Sequence, residues 1–393
     1  MKTLERFRAA FKGEPVDRPP ICGWLGLPFL NRLLKKTPRQ VLEDIVARPE
    51  EIIQLQEDLG MDPLLITVDD RWFSMYRFWR LLYSYPPEAL ETWPIQERVE
   101  RISEDVIHRH FKVQTPGGEV TWGMSMGESQ VVETYNAIKE EKDLDLLIKY
   151  MPDPETANID KLTALTRLAG DRAFITHNFI GIWGEAANMR GLVTLATDIF
   201  DRPKFVHKIS EFLMNRSIRR VRHLAQSGIH SILYDQSWVG VGFSPDQYRK
   251  FMLPYDRQVV KAAQEAGILV SYHNCGRGMA FLEDMVSTGA DALETLTPAE
   301  RSGDFDLVET KRRVGQDITL NGAFNERLFP RVEAQEVKDE VRRCIDAAGE
   351  GGRYVLRTCG QIFDTANTTI ETERTLDNIR VWTETGREYG CSN

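Results

Sequence analysis

An alternation of short β-rich runs with long amphipathic segments predicts an α/β protein, a distorted (β/α)8 TIM barrel. Eight runs are short, apolar and rich in β-branched or aromatic residues, as buried strands are. They are PPICGW (19–24), LLITVDD (64–70), AFITHNF (173–179), SILYD (231–235), ILVSYHNC (268–275), ALETL (292–296), ITLNGAF (318–324) and YVLRTCG (354–360). An open doubly wound sheet is the rival fold, but no GxGxxG segment follows the first run.

The segments between these runs carry helical patterns, for example PRQVLEDIVARPEEIIQLQEDLG (38–60) and PDQYRKFMLPYDRQVVKAAQEAG (245–267). Ser244 precedes Pro245 as an N-cap precedes a proline in the first turn, and Gly267 follows the last turn. Strand and helix signals therefore alternate along the chain, which is the order that a parallel barrel requires.

The second and third runs are unusually far apart, and the stretch between them has its own strand signals. HRHFKVQTPGGEVTWGMSM (108–126) contains two strand-like pieces around Pro116-Gly117-Gly118, which predict a hairpin. We expect an insertion of about residues 71–150 that forms a lid over one face of the barrel. Residues 1–393 are otherwise expected to form a single barrel domain.

The composition is that of an ordinary globular protein and excludes several classes of function. The chain has 393 residues, of which 42% are hydrophobic and 28% charged, so disorder and collagen are excluded. A net charge of −9 without a basic block argues against nucleic acid or an anionic membrane as the main partner. There is no apolar run long enough to span a membrane, and the start MKTLERFRAAFKGEP is too charged for a signal peptide. We therefore expect a cytoplasmic protein, in which five cysteines are not a disulfide framework.

Polar residues are concentrated at the ends of the predicted strands, where barrel enzymes carry their catalytic groups. Asp235 and Glu294 are candidates for acid–base catalysis. The candidates for substrate binding are His177, Asn178, Tyr234 and Asn321. Other roles remain open for them: Glu294 could be a metal ligand or a salt-bridged barrel carboxylate, and His177 a core histidine. Asp69 and Asp70 end the second run and could belong to the site, but capping of a following helix is the alternative role for them.

The sharpest chemical signal is His273-x-Cys275 together with Cys359, at the ends of the fifth and eighth runs. Residues i and i+2 of an extended segment point to the same side, so His273 and Cys275 can bind one metal ion. Two thiolates and one imidazole are a Zn²⁺ ligand set, and three protein ligands leave an open position for catalysis. The alternative is that these are two core cysteines and a hydrogen-bonded core histidine.

Several longer segments resemble the uroporphyrinogen decarboxylase-like superfamily, within it the zinc-dependent, corrinoid-linked methyltransferases. ERFRAAFKGEPVDRPP (5–20) is similar to the opening of that superfamily. DIFDRPKFVHKI (198–209), SPDQYRKFMLPYDRQVV (244–260), GADALETL (289–296) and DFDLVETKRRVGQDITLNGAF (304–324) match later segments. The resemblance covers nearly the whole chain except about residues 70–140, and it implies a distorted (β/α)8 barrel.

Two positions indicate the branch of the superfamily. True decarboxylases continue with an arginine-containing run that grips porphyrin carboxylates, whereas ICGWLG (21–26) contains no arginine. His273, Cys275 and Cys359 fall on the positions that bind zinc in the methyltransferases, and Asp235 falls where the superfamily keeps an aspartate at the mouth. The resemblance therefore implies Zn²⁺ as a cofactor.

The resemblance implies methyl transfer to or from a corrinoid. We expect the methyl group of a methoxylated aromatic compound to pass to the Co(I) corrinoid of a partner protein, as in an O-demethylase system. Methyl transfer from a methyl-corrinoid to a thiol such as coenzyme M is the alternative. Tetrapyrrole binding without this chemistry is a third. The chain has no Asp-x-His-x-x-Gly segment, so the corrinoid is expected on a separate protein or as free cofactor.

Overall fold

The computed structural model describes residues 1–36, 40–41, 48–67, 87–91, 93–103, 106–127, 131–362 and 369–391. All eight predicted runs form strands, and further strands lie between the second and third runs. In chain order the strands are β1 (Ile21–Leu25), β2 (Leu64–Thr67), β3 (Ile95–Arg101), β4 (Ile107–Thr115), β5 (Gly118–Met126), β6 (Val131–Tyr135), β7 (Phe174–Ile180), β8 (Ser231–Asp235), β9 (Leu269–Asn274), β10 (Ala292–Thr295), β11 (Thr319–Phe324) and β12 (Tyr354–Ile362). Asp69 and Asp70 lie outside the described residues.

Helices follow most barrel strands, as a right-handed β/α succession requires. They are α1 (Thr3–Lys12), α2 (Leu27–Leu34), α3 (Pro49–Asp58), α4 (Glu141–Tyr150), α5 (Asp160–Ala169), α6 (Ile182–Arg190), α7 (Leu192–Asp201), α8 (Pro203–Ala225), α9 (Pro245–Phe251), α10 (Leu253–Glu265), α11 (Leu282–Val286), α12 (Leu307–Val314), α13 (Ala334–Ala348) and α14 (Thr369–Gly390). The Ser244 hydroxyl caps α9 through the backbone N–H of Gln247, as expected. The pattern over 245–267 forms two helices rather than one, because Pro254 cannot continue the hydrogen bonding of α9. No described helix is long and apolar enough to cross a membrane.

Eight parallel strands form a nearly closed barrel in the order β1-β12-β11-β10-β9-β8-β7-β2, which confirms the predicted fold. The two end strands adjoin at a seam beside Asp62. The backbone N–H of Asp62 donates to the carbonyl of Ile21 at 2.7 Å, and its carboxylate accepts from the backbone N–H of Ile21 at 2.8 Å. The guanidinium groups of Arg6 and Arg18 each lie 2.7 Å from the same carboxylate.

Helix α1 closes the end of the barrel at which the strands begin. Its apolar residues recur at helical spacing, which places Phe7 and Phe11 on one face. The Phe7 ring stacks on Phe174 of β7 with ring centroids 4.7 Å apart. Leu64, Phe174, Ala292 and Val355 complete this small apolar cluster. The opposite end, where the strands terminate, is therefore the end that can hold a site.

The strands between β2 and β7 form a separate antiparallel sheet in the order β3-β4-β5-β6. Strands β4 and β5 form the predicted hairpin, with Thr115 paired to Gly118 across the turn. Phe111 and Trp122 stack on one face of the sheet, 5.4 Å apart, and Leu144 and Leu147 of α4 are buried in the same core. The aromatic residues of this hairpin are thus packing residues.

Candidate active site

The inward positions of β8 to β11 form one polar layer near the carboxyl ends of the strands. The register pairs Asp235 with His273, His273 with Glu294, and Glu294 with Asn321. Since successive strand residues alternate between the two faces, these four side chains share the inner face of the barrel. The structure therefore brings together four of the residues predicted from the sequence.

Glu294 is the centre of this layer and is 2% exposed. Its carboxylate accepts hydrogen bonds from His273 Nδ1 at 2.8 Å, Ser271 Oγ at 3.1 Å and Asn321 Nδ2 at 3.4 Å. It also forms an ion pair with Arg357 of β12. Burial works against the charged carboxylate, but Arg357 and the bond to His273 prevail and lower the pKa of Glu294.

These contacts favour one of the roles left open for Glu294, that of a salt-bridged barrel carboxylate. Ser271, Asn321 and Arg357 all contact Oε2 of this buried carboxylate, whereas Oε1 lies against His273 alone among these partners. The contact with Oε1 fixes the orientation of the His273 ring. Glu294 thus orients His273, and a part for Glu294 in acid–base catalysis or metal binding stays a prediction.

His273 and Cys275 lie together at the open end of the barrel. Burial alone would lower the pKa of His273, but bonds to Cys275 and Glu294 and the charge of Asp235 raise it to about 10. Desolvation of the Cys275 sulfur is likewise outweighed by its bond to His273, and the pKa of Cys275 is lowered. The Cys275 side chain reaches solvent, so this pair faces the mouth.

Asp235 joins the same group through Ser237. The Ser237 hydroxyl donates to Asp235 Oδ1 at 2.5 Å, and the backbone N–H of Ser237 donates to the same oxygen at 3.1 Å. The Cys275 thiol donates in turn to Ser237 Oγ at 3.4 Å. Asp235, Ser237 and Cys275 therefore form a continuous hydrogen-bonded chain along the rim.

Cys359 is placed differently from the other two predicted zinc ligands. It is 3% exposed on β12, and its thiol donates to Glu326 Oε2 at 3.4 Å. Burial and the charge of Glu326 raise the pKa of Cys359 to about 12. Glu326 is paired with Arg301 at 2.5 Å. Strands β10 and β11 separate β12 from β9.

The three predicted zinc ligands therefore do not converge in this structure. Within the part of the chain that the structure describes, no three His, Cys, Asp or Glu side chains could hold a metal ion together. His273 and Cys275 meet, whereas the Cys359 thiol is directed to Glu326. Zinc binding by all three remains a prediction.

Two candidate substrate-binding residues face away from the barrel interior. His177 Nδ1 lies 3.0 Å from the Thr67 hydroxyl, and its Nε2 lies 3.4 Å from Arg220 of the surrounding helix α8. The Tyr234 hydroxyl donates to Asp256 of α10 at 2.7 Å. Both side chains are buried in the layer between strands and helices, so the prediction that they contact substrate is wrong.

The other two candidates are on the correct face. Asn178 follows His177 and so points inward, and its buried Oδ1 has no hydrogen-bond partner within the described chain. Asn321 Oδ1 is also without one, although the other end of that amide contacts Glu294. Unsatisfied polar atoms on the inner wall are consistent with a polar ligand or ordered water there.

Sequence reasoning missed Ser237, Ser271, Glu326 and Arg357. Two of them carry a signal that alternation supplies: Ser271 stands two residues before His273, and Arg357 two residues before Cys359. Trp24 stands two residues after Cys22, which lines the interior, and is half-buried near the carboxyl end of β1, where the pairing with β12 shifts register. Ser237 and Glu326 follow strands, and no pattern marks them.

A barrel closed by a helix at one end, with a polar layer at the carboxyl ends of its strands, is the architecture of a barrel enzyme. The profile of the family described as uroporphyrinogen decarboxylase matches residues 98–389. This chain belongs to the uroporphyrinogen decarboxylase family, which confirms the superfamily expected from the sequence.

Individual relatives agree with this assignment. The uroporphyrinogen decarboxylase of Neisseria meningitidis is 24% identical over 275 residues, covering 66% of this chain and 73% of the relative. That of Thermus thermophilus is 25% identical over 295 residues, covering 72% of this chain and 73% of the relative. Among solved structures, a methyltransferase from Methanosarcina mazei is similar over 99% of both chains, with a TM-score of 0.63 and 16% sequence identity. That likeness shows the fold.

Proposed function

We propose that this chain is a zinc-dependent methyltransferase that moves a methyl group from a methoxylated aromatic compound to the Co(I) corrinoid of a partner protein. The observation that carries the proposal is the His273–Cys275 pair at the open end of the barrel. Glu294 binds His273 Nδ1, which leaves Nε2 as the nitrogen available to a metal. The likeness of fold to a methyltransferase over the whole chain supports the same reading.

The residues present fit zinc in the chemistry of their donors. His273 and Cys275 would hold the ion, with Cys359 as the third ligand once its thiol leaves Glu326. An imidazole whose other nitrogen is bonded to a carboxylate is the arrangement that metal-binding histidines favour. When bound, zinc supplies a Lewis acid that polarises the ether oxygen of the substrate.

The remaining side chains suit the other needs of the reaction. The bond between the methyl carbon and the ether oxygen breaks, the cobalt electron pair forms the new bond to carbon, and the oxygen takes a proton. We assign to Asp235 and the Ser237 hydroxyl, which already bonds it, the relay of that proton from solvent water to the ether oxygen. Trp24, half-buried near the carboxyl end of β1, would pack against the aromatic ring.

Decarboxylation of a porphyrin, the reaction named for the curated relatives, is the competing function. It needs cationic side chains that are free to hold several carboxylates. The segment 21–26 has no arginine. Arg357 is committed to Glu294, and Arg301 to Glu326. These contacts favour methyl transfer over tetrapyrrole decarboxylation.

Metal content is the first test. The purified chain is expected to hold about one zinc ion, and Cys359→Ala to lose it. Cys344→Ala is the matched control, because Cys344 is a buried thiol on α13, outside the proposed site. A chain without zinc, or zinc retained equally by both variants, would contradict the three-ligand site.

Turnover distinguishes the alternatives. With Co(I) cobalamin and an aryl methyl ether, we expect methylcobalamin and the phenol to form in equal amounts. Methylation of a thiol by methylcobalamin, without ether cleavage, would instead support the reverse direction. Binding of a tetrapyrrole with no turnover, unaffected by alanine at His273, Cys275 and Cys359, would point to a non-catalytic protein.

A further inference from the structure

A buried carboxylate outside the barrel interior accepts hydrogen bonds from both strands that carry Asp235 and His273, the two residues at the mouth of the barrel considered below. Asp256 of α10 is 0% exposed. Its Oδ1 accepts from the Tyr234 hydroxyl at 2.7 Å and from Gln236 Nε2 at 2.8 Å. Its Oδ2 accepts from the Tyr272 hydroxyl at 2.9 Å. All three donors belong to β8, β9 or the residue that follows β8.

Burying a carboxylate between a helix and a sheet is unfavourable in free energy. The groups around Asp256 are all neutral, since the third phenol of the cluster, Tyr248, lies 2.8 Å from the Tyr272 hydroxyl, and burial raises the pKa of Asp256 to about 6. A buried carboxylate loses its solvation by water, and neutral donors restore only part of that free energy, whereas an apolar side chain of similar size would lose none. Packing alone therefore gives no reason for an aspartate here.

The register of the strands supplies a reason. Tyr234 pairs with Tyr272 across β8 and β9, and the next residues along each strand, Asp235 and His273, also pair. Because neighbouring strand residues face opposite sides, holding the two tyrosines from outside fixes the two mouth side chains inside. Asp256 thus contacts neither mouth residue but bonds the residue beside each.

We propose that Asp256 is a positioning residue, whose carboxylate sets the placement of Asp235 and His273 by clamping Tyr234 and Tyr272. The clamp is a property of the fold, and its effect on zinc binding rests on the proposed function. Misplacement of a catalytic constellation by about 1 Å is enough to cost a large part of its activity. A carboxylate accepts on both oxygens, and an amide in its place would turn a donor toward one of the phenols.

Asp256→Asn is the test, and Tyr255→Phe is its matched control on the same helix. The Tyr255 hydroxyl bonds His207 of α8 at 2.6 Å and does not join the Asp256 cluster, so its loss costs stability without touching β8 or β9. Zinc affinity of the full-length chain is measured by competition with a chelator. We expect Asp256→Asn to bind zinc about tenfold more weakly, the lower end for partners of metal-site residues. Tyr255→Phe should bind zinc as the wild type does.

A second measurement needs no metal. When the chain is labelled with ¹⁵N-histidine, the NMR signal of the His273 ring can be assigned by its absence in His273→Gln. This signal should shift in Asp256→Asn and stay in place in Tyr255→Phe. An unchanged His273 signal with unchanged zinc affinity, in a folded Asp256→Asn chain, would refute the positioning role. If the wild-type chain binds no zinc, the proposed function fails, and the histidine signal still decides the role of Asp256.

Discussion

Glu294 and Arg357 are the residues whose charges must balance inside the barrel. Both are almost completely buried, and each is the other's partner of opposite charge. Removing one member of such a pair is far more damaging than replacing both, because an uncompensated buried charge remains. A single variant and a double variant of this pair can therefore be compared to test whether the two charges balance each other.

Glu294→Gln is expected to lower the free energy of unfolding by about 3 kcal/mol, because Arg357 loses its counter-charge. Adding Arg357→Met should restore most of that stability. Zinc affinity should fall about tenfold to a hundredfold in both variants, since His273 loses its carboxylate partner in each. Urea unfolding and chelator competition measure the two effects. Equal stability of the single variant and the wild type would contradict the assigned charge pairing.

His230 gives the molecule a defined response to acid. It is buried at the start of β8, where its Nδ1 accepts the backbone N–H of Ile175 at 3.0 Å. Burial, with the charge of Arg8, lowers its pKa from 6.5 to about 4. The folded chain therefore binds this proton less readily than the unfolded chain, and the stabilisation is complete above pH 6.5 and lost as the pH falls toward 4.

We expect His230 to contribute a loss on the order of 3 kcal/mol in the free energy of unfolding between pH 7 and pH 4. Urea unfolding at several pH values measures it. The slope should become shallower in His230→Gln and persist in His223→Gln, whose ring contacts only the carbonyl of Ala157 in its described polar contacts. The same slope in both variants would show that His230 is not the titrating group.

At the scale of elements, α1 is the piece that makes the barrel one-ended. Its apolar face covers the cluster at the start of the strands, and Phe7 is 1% exposed there. The helix is amphipathic by its own sequence, but it is stable because β7 and its neighbours receive that face. The polar residues at the carboxyl ends of the strands are therefore the ones that can contact solvent and a ligand.

Phe7→Ala should lower the free energy of unfolding by about 3–5 kcal/mol, the cost of a phenylalanine-sized cavity in a packed core. Leu168→Ala on α5 is the comparison, because Leu168 is 59% exposed and its removal should change stability by less than about 0.5 kcal/mol. Thermal unfolding of the two variants measures the contrast. A small effect of Phe7→Ala would mean that α1 is not an essential cover.

At the scale of the whole molecule, the barrel closes at a seam that depends on one carboxylate. Asp62 lies two residues before β2 and binds Ile21 of β1 through both its backbone N–H and its carboxylate, which also holds Arg6 and Arg18. The strands on either side of the seam are separated in the order of pairing by all the others. Closure therefore depends on residues far apart in the sequence.

Asp62→Asn should destabilise the fold by about 3–5 kcal/mol, since the buried guanidinium group of Arg18 loses its counter-charge and that of Arg6 keeps only Asp17. Glu141→Gln is the control, because the ion pair of Glu141 with Lys208 is exposed, and such pairs contribute less than about 1 kcal/mol. Denaturant titration compares the variants. Similar midpoints for both would show that the seam does not depend on Asp62.

The sequence by itself determined the strands, their order and the polar strand ends. Eight apolar runs and a proline-glycine hairpin are local patterns, and each formed where predicted. Their alternation with helices leaves few ways to bury both faces of a parallel sheet, so a barrel could be predicted. The family was likewise predicted from contiguous segments and confirmed by comparison.

Only the tertiary structure decided which side each polar residue faces and what it meets there. His177 and Tyr234 are each one residue away from an inward-facing position. Because successive side chains of a strand point to opposite faces of the sheet, an estimate of where a strand begins and ends cannot decide which face a given residue occupies. Three contacts join segments that are distant in the sequence: Arg357 pairs with Glu294, Cys359 donates to Glu326, and Asp256 accepts hydrogen bonds from tyrosines of two strands. Such partners depend on how the closed barrel brings strands and helices together, and no local pattern in the sequence encodes that.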